Sequence, residues 1–298
     1  MKTHDIIRTD DHWLYVRIYT GYNTADKLLP EVLHPLVKEL LAKKMADYWF
    51  FIRYADPDFH LRFRIKLNDA SHSQAVMSQL KKQLNKYVEN GLVWKVEAAS
   101  YQPEKERYGE LSMKYAEKLF CADSEAFMNY MHWYKMHGDE HSRWLFALLS
   151  ANRILHDFKL SPIQRKDLLL KLNRGFGKEF NKNKHLARQI SERYRTHRIR
   201  IRDLLEGENN SQADSGLHKI IQHRSKKYSG DVSAILELYK NRKIEVPLEE
   251  MLSSIIHMSM NRIFQNNNRL HEMVLYDLLF RHYKSALARE KKDMIIML

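Results

Sequence analysis

Residues 49–67 read WFFIRYADPDFHLRFRIKL. Two strand-like runs, DYWFFIRYA and HLRFRIKL, meet at a short turn formed by Asp56, Pro57 and Asp58, and this pairing predicts a β-hairpin. Successive side chains of a strand point to opposite faces. His60, Arg62, Arg64 and Lys66 therefore share one face, while Leu61, Phe63, Ile65 and Leu67 share the other. One face is apolar and the other cationic. Two arginines and a histidine in register suit an anion-binding surface, although a solvated basic strand face would show the same alternation.

Working outward, WLYVRIYT (13–20) reads as a strand and ADKLLPEVLHPLVKELLAKK (25–44) as a helix with prolines near its front. After the hairpin, SHSQAVMSQLKKQLNKYVEN has helical spacing and VWKVEAASY reads as a strand. The order β-α-β-β-α-β is the ferredoxin-like signature, with two helices on one face of a four-stranded antiparallel sheet and the other face open. Arg17 on the first strand and Lys95 on the last would join residues 60–66 on that open face. From about residue 104 the pattern is helical, near 107–120, 124–137, 139–157, 162–180, 184–206, 216–228 and 231–241, with two long helices across 247–290. GENNSQADSG (207–216) has loop composition, and QNNNR (265–269) suits either a turn or a continuing helix. The expected fold is α+β. A ferredoxin-like part over 1–103 carries a helical part over 104–298 packed on the sheet, together one catalytic domain without internal repeats.

The 298 residues with 44% hydrophobic content are enough for a packed core. The formal charge of +13 favours an anionic partner, such as a nucleic acid or an acidic peptide. Most of that excess lies between Arg165 and Arg202, where 13 Lys plus Arg face three acids. This segment could meet RNA phosphates or an acidic peptide, or simply be a solvated basic face. The aromatic platforms of a single-strand binder are thin there, with Tyr194 nearly alone, so direct tRNA binding is not expected. A single cysteine, Cys121, excludes an internal disulfide framework. No apolar run approaches ~18 residues and the start is too polar for a signal peptide, so a cytoplasmic protein without membrane insertion is expected.

Three further segments could carry chemistry. In PEKERYG (103–109), Arg107 follows Glu104 and Glu106 at a strand-to-helix junction, from which it could reach across a sheet edge or pair with a glutamate. In EEMLSSIIHMSMNRIF, His257 precedes Asn261 by one helical turn and Arg262 follows. His257 could move a proton or be a satisfied core histidine. HWYKMHGDEH holds His132, His137 and His141, whose spacings match no standard metal site. Walker, GxGxxG, GxSxG and HExxH motifs are absent, so phosphate-loop, dinucleotide, serine-hydrolase and zincin readings lack support.

Together WLYVRIY, FFIRYADPDFHLRFRIK, EKERYG followed by FCADS (120–124), and SIIHMSMNRI resemble the elimination domain at the C-terminal end of class I lantibiotic dehydratases, also called the thiopeptide-type bacteriocin biosynthesis domain. The resemblance spans nearly the whole chain. It implies a precursor peptide, recognised through its leader and a core in which glutamate esterifies Ser or Thr. β-Elimination of that glutamate leaves dehydroalanine or dehydrobutyrine. It implies no cofactor and no metal. The family's glutamylating domain has no counterpart here, so a stand-alone elimination protein is expected, served by a separate glutamyl-tRNA-dependent glutamylating protein. A cyclase is a candidate further partner, and homo-oligomerisation is left open.

By the same resemblance, Arg62 and Arg107 match essential arginines and are assigned to glutamate binding and charge stabilisation. Arg64 matches an adjacent supporting arginine, and His257 matches the essential histidine, assigned to proton transfer. His60, Arg17, Asn261 and Arg262 are the candidate substrate-binding residues around them. Ser259 stands where nisin-type members have a second histidine. Two alternatives remain: a thiopeptide pyridine synthase, which joins two dehydroalanines by formal cycloaddition, and a non-catalytic module that binds a leader peptide or tRNA.

Overall fold

The computed structural model describes residues 12–181, 183–207 and 212–296. Strands β1 (Trp13–Thr20), β2 (Ala46–Ala55), β3 (Phe59–Leu67) and β4 (Val93–Ala99) form one sheet in the order β2-β3-β1-β4, each neighbouring pair antiparallel. This is the ferredoxin-like arrangement that the alternating pattern predicts. Arg17 lies opposite Arg62, Tyr15 opposite Arg64, and Tyr19 opposite His60. Leu14, Val16, Ile18, Leu61, Phe63 and Ile65 occupy the other face and are buried in the hydrophobic core.

The chain between β1 and β2 forms α1 (Tyr22–Leu28), a π-helical turn (Leu29–Leu33) and α2 (His34–Ala42). The sequence predicts one helix here, and the prolines explain the segmentation. Pro30 and Pro35 each sit in the first turn of a segment, where a missing N–H costs little. The His34 N–H reaches back to the Leu29 carbonyl to bridge them. α3 (Ser73–Glu89) crosses before β4 and buries Val76, Leu80 and Leu84 at helical spacing.

The helical part runs through α4 (Lys105–Tyr108), α5 (Met113–His137), α6 (Ser142–Asp157), α7 (Pro162–Glu179), α8 (Lys184–Glu206), α9 (Gln212–Lys240), α10 (Leu248–Ile263) and α11 (Asn268–Ile296). Ser161 and Gln164 form a capping box that fixes the start of α7. The expected helices 107–120 and 124–137 merge into α5 only from Met113 onward, since Gly109 ends α4, and those over 216–228 and 231–241 are continuous in α9. Cys121 to Ser124 are buried within α5 instead of breaking it, and residues 212–216 begin α9, with 208–211 outside the described residues. Residues 265–267 make a turn, aided by Asn267 in the left-handed conformation that asparagine tolerates.

The face expected to be open is partly roofed. Phe50 meets Phe120 of α5 and Tyr101 edge-on, burying the β2 side of the cationic face. The outer edge of β2 is sealed as well. The Phe51 N–H donates to Ser124 Oγ (3.4 Å), and the Arg53 N–H donates to Asn261 Oδ1 (2.7 Å). Asn261 Nδ2 returns a bond to the Arg53 carbonyl (2.8 Å).

Arg53 itself points into the apolar side, where it meets Asp26 of α1 at 2.6 Å; Arg143 of α6 holds the other oxygen of that carboxylate at 2.7 Å. Burial pushes the Asp26 pKa up, but the two guanidiniums outweigh burial and hold it below its ordinary value. A carboxyl with a depressed folded pKa stabilises the fold above its unfolded pKa of about 4, and that contribution is lost as pH falls through the folded value. Asp26→Asn should therefore lower stability by about 1.5–3 kcal/mol at neutral pH and flatten the acid limb, as measured by urea unfolding at a series of pH values from neutrality downward. An unchanged acid limb would remove Asp26 from the account.

Candidate active site

A cleft of about 520 Å³ opens where the β2–β3 hairpin, the α4 turn, α10 and the start of α11 meet. Arg62, Arg107 and His257 all line it, although they come from three segments far apart in sequence.

Arg62 projects from β3 with its guanidinium 3.4 Å from the Tyr54 ring centroid, a cation–π contact that limits its motion. Its Nε donates to His60 Nε2 at 3.3 Å. His60 Nδ1 lies 2.8 Å from the Asp58 carbonyl, which can only accept, so that nitrogen carries the hydrogen. His60 is thus neutral, consistent with burial lowering its pKa, and it orients Arg62 from inside the fold.

Arg107 rides on the single turn of α4, which ends at Gly109 with φ +79°. A Cβ there would sit 2.8 Å from Ser112 Oγ as well as adopting a strained backbone, so glycine is required to halt the helix and return the chain. Arg107 Nε pairs with Glu104 at 3.1 Å. The salt bridge leaves Arg107 at the cleft, which both residues line.

On α10, His257, Met258 and Asn261 share the face that lines the cleft. His257 is 23% exposed, and its Nδ1 lies 2.6 Å from Oε1 of the fully buried Glu272 on α11. Tyr276 OH donates to the other carboxyl oxygen at 3.2 Å. With Nδ1 held, Nε2 is the ring nitrogen available for proton transfer.

Of the other candidates, Asn261 lines the cleft and Arg64, Arg17 and Arg262 do not. Arg64 is buried among Tyr15, Phe50 and Tyr101, with ring centroids 4.4, 5.3 and 4.9 Å from its guanidinium carbon, and lines a separate small void beside Glu104 and Met258. Burial lowers its pKa, and the arginine still stays charged. Arg17 bonds to Tyr15 OH on the β1 side of the face, outside the cleft. Arg262 is fully buried against Asp123 at 3.2 Å, and Ser259 donates to the same carboxylate at 3.0 Å, so both face away from the cleft. Asn261 lines the cleft while its amide locks β2. Among the described residues, no three of His, Cys, Asp or Glu gather as a metal site would require, and His132, His137 and His141 remain apart from this cleft.

A profile of the family described as lantibiotic biosynthesis dehydratase C-term matches residues 13–283. The chain belongs to that family. Subtilin biosynthesis protein SpaB of Bacillus subtilis is 24% identical over 288 residues, which is 95% of this chain and 26% of SpaB. Nisin biosynthesis protein NisB of Lactococcus lactis subsp. lactis is 31% identical over 120 residues, 40% of this chain and 12% of NisB. The chain thus spans about a quarter or less of these relatives. The fold is shared with the tRNA-dependent lantibiotic dehydratase MibB from Microbispora sp. 107891, at a TM-score of 0.74 and 20% identity over 93% of this chain and 28% of MibB. It is also shared with TbtD, a pyridine synthase from thiomuracin biosynthesis, at 0.69 and 12% identity over 92% of this chain and 98% of TbtD.

Within this dehydratase C-terminal domain, Glu272 is the residue that sequence reading missed. It lies 15 positions after His257 on another helix, and only packing of α10 against α11 reveals it. No helix among the described residues is long and apolar enough to cross a membrane.

Proposed function

We propose that the domain removes glutamate from glutamylated Ser or Thr residues of a precursor peptide by β-elimination. One observation carries the reading: two arginines and a carboxylate-oriented histidine converge on one cleft. Elimination needs a proton taken from Cα, cationic donors for the enolate-like oxygen, and a cation for the departing carboxylate. Arg62 and Arg107 serve the last two needs, because a guanidinium binds carboxylate through two parallel bonds and keeps its charge. His257 moves the proton through Nε2 while Glu272 fixes the ring. The Cα–H electron pair forms the new double bond as the Cβ–O bond breaks and glutamate leaves. Arg64 adds positive potential from behind its aromatic walls, and His60 positions Arg62. The glutamyl ester is made at a different catalytic site, so the precursor must arrive already glutamylated.

Mass spectrometry of a glutamylated precursor peptide incubated with the purified protein tests this. The expected product is lighter than the unmodified peptide by one water at each processed residue. Unchanged mass would overturn the proposal, and a macrocycle formed from an already dehydrated peptide would assign pyridine-synthase chemistry instead.

A further inference from the structure

The two edges of the sheet are treated differently. β2 is sealed by side chains of α5 and α10, whereas β4 pairs with β1 alone and, among the described residues, no bond is made to its outer edge. Three large apolar side chains stay exposed beside that edge: Val88 at 46%, Leu92 at 45% and Trp94 at 54%. Trp94 is the residue that the β1–β4 register passes over, as Thr20 pairs with Val93 and Tyr19 with Lys95. A groove of about 710 Å³ runs alongside, floored by Leu14, Val96 and Ala98 and walled by Met77, Ser78 and Lys81.

We propose that β4 is a self-pairing edge, at which two copies of the chain join antiparallel about Val96 into one eight-stranded sheet. The charges of the strand specify this register. With Val96 opposite its own mate, Lys95 of each copy falls opposite Glu97 of the other, and Trp94 falls opposite Ala98, a small residue beside the groove. A lysine on an edge strand ordinarily blocks sheet extension. Here Glu97, which already pairs with Lys95 inside one chain, converts that block into a match. Slipping the pairing by two residues sets Lys95 against Lys95 or Glu97 against Glu97, which like-charge repulsion disfavours. The contact is isologous and closes at two copies. An extended peptide could use the same edge, but only a second copy is matched by the Lys95–Glu97 order and by the Trp94–Ala98 pairing.

Sedimentation velocity and light scattering on the full chain over a range of concentrations test this. Wild type is expected to dimerise. Lys95→Glu should weaken the dimer ~10-fold or more, since it creates two like-charge pairs. Lys95→Glu combined with Glu97→Lys should restore it, because the two signs are exchanged together. Both positions are on the surface, and circular dichroism checks that each variant is folded. A wild type that is monomeric throughout, a Lys95→Glu variant that dimerises like wild type, or a double variant that is not restored would each overturn the proposal. These outcomes are independent of the elimination assay.

Discussion

Replacing His257 by alanine is expected to slow elimination by ~10²-fold to 10⁴-fold, the usual loss on removing a positioned acid or base. Glutamylated peptide should then persist in the mass spectrum while the fold is retained, because the side chain is partly exposed in the cleft. Glu272→Gln refines the result. The amide can still meet the ring but replaces a charge-assisted hydrogen bond by a neutral one, so the rate should fall while peptide affinity holds. Full activity in His257→Ala would remove the histidine from the mechanism. A loss confined to KM in Glu272→Gln would make that carboxyl a packing element only.

The other large effect is on stability. Asp123 on α5 is the only carboxylate bonded to the two fully buried guanidiniums of Arg224 and Arg262, among the described residues. Arg224 Nη1 reaches Oδ1 at 2.8 Å and Arg262 Nη1 reaches Oδ2 at 3.2 Å. Ser259 Oγ adds a bond to Oδ1, and the Ser150 and Ser259 hydroxyls lie 2.8 Å apart. Asp123→Ala leaves two buried cations without that partner, and the expected loss is about 3–5 kcal/mol in chemical unfolding. A loss below about 1 kcal/mol would mean that the guanidiniums are satisfied by other groups.

The hairpin and the cationic face follow from a period of two, which is visible in sequence because a half-buried strand alternates. His257, Arg62 and Arg107 are legible through their motif blocks, and the fold brings all three to one cleft. Other features depend on which elements pack together. Arg53 reads as one more strand arginine, yet it lies on the apolar side because Asp26 and the Arg262 carbonyl receive it. Arg262 and Ser259 sit one helical face away from His257, and only the position of Asp123 decides that they belong to the interior. The expected break in α5 failed because local polarity marks a helix end only when the residues face water, whereas Asp123 and Ser124 are buried.

The bond pair between Asn261 and Arg53 spans 208 residues of chain, and this separation bears on when the molecule becomes competent. Contacts of such length form late, since the intervening loop must be closed first. During synthesis the hairpin with Arg62 emerges long before α10. If the proposed roles hold, a nascent chain would present Arg62 for a carboxylate before it has the histidine assigned to the proton. On the proposed mechanism the site would be complete only once α10 docks against the edge of β2, so completion of the fold would itself be the event that arms it.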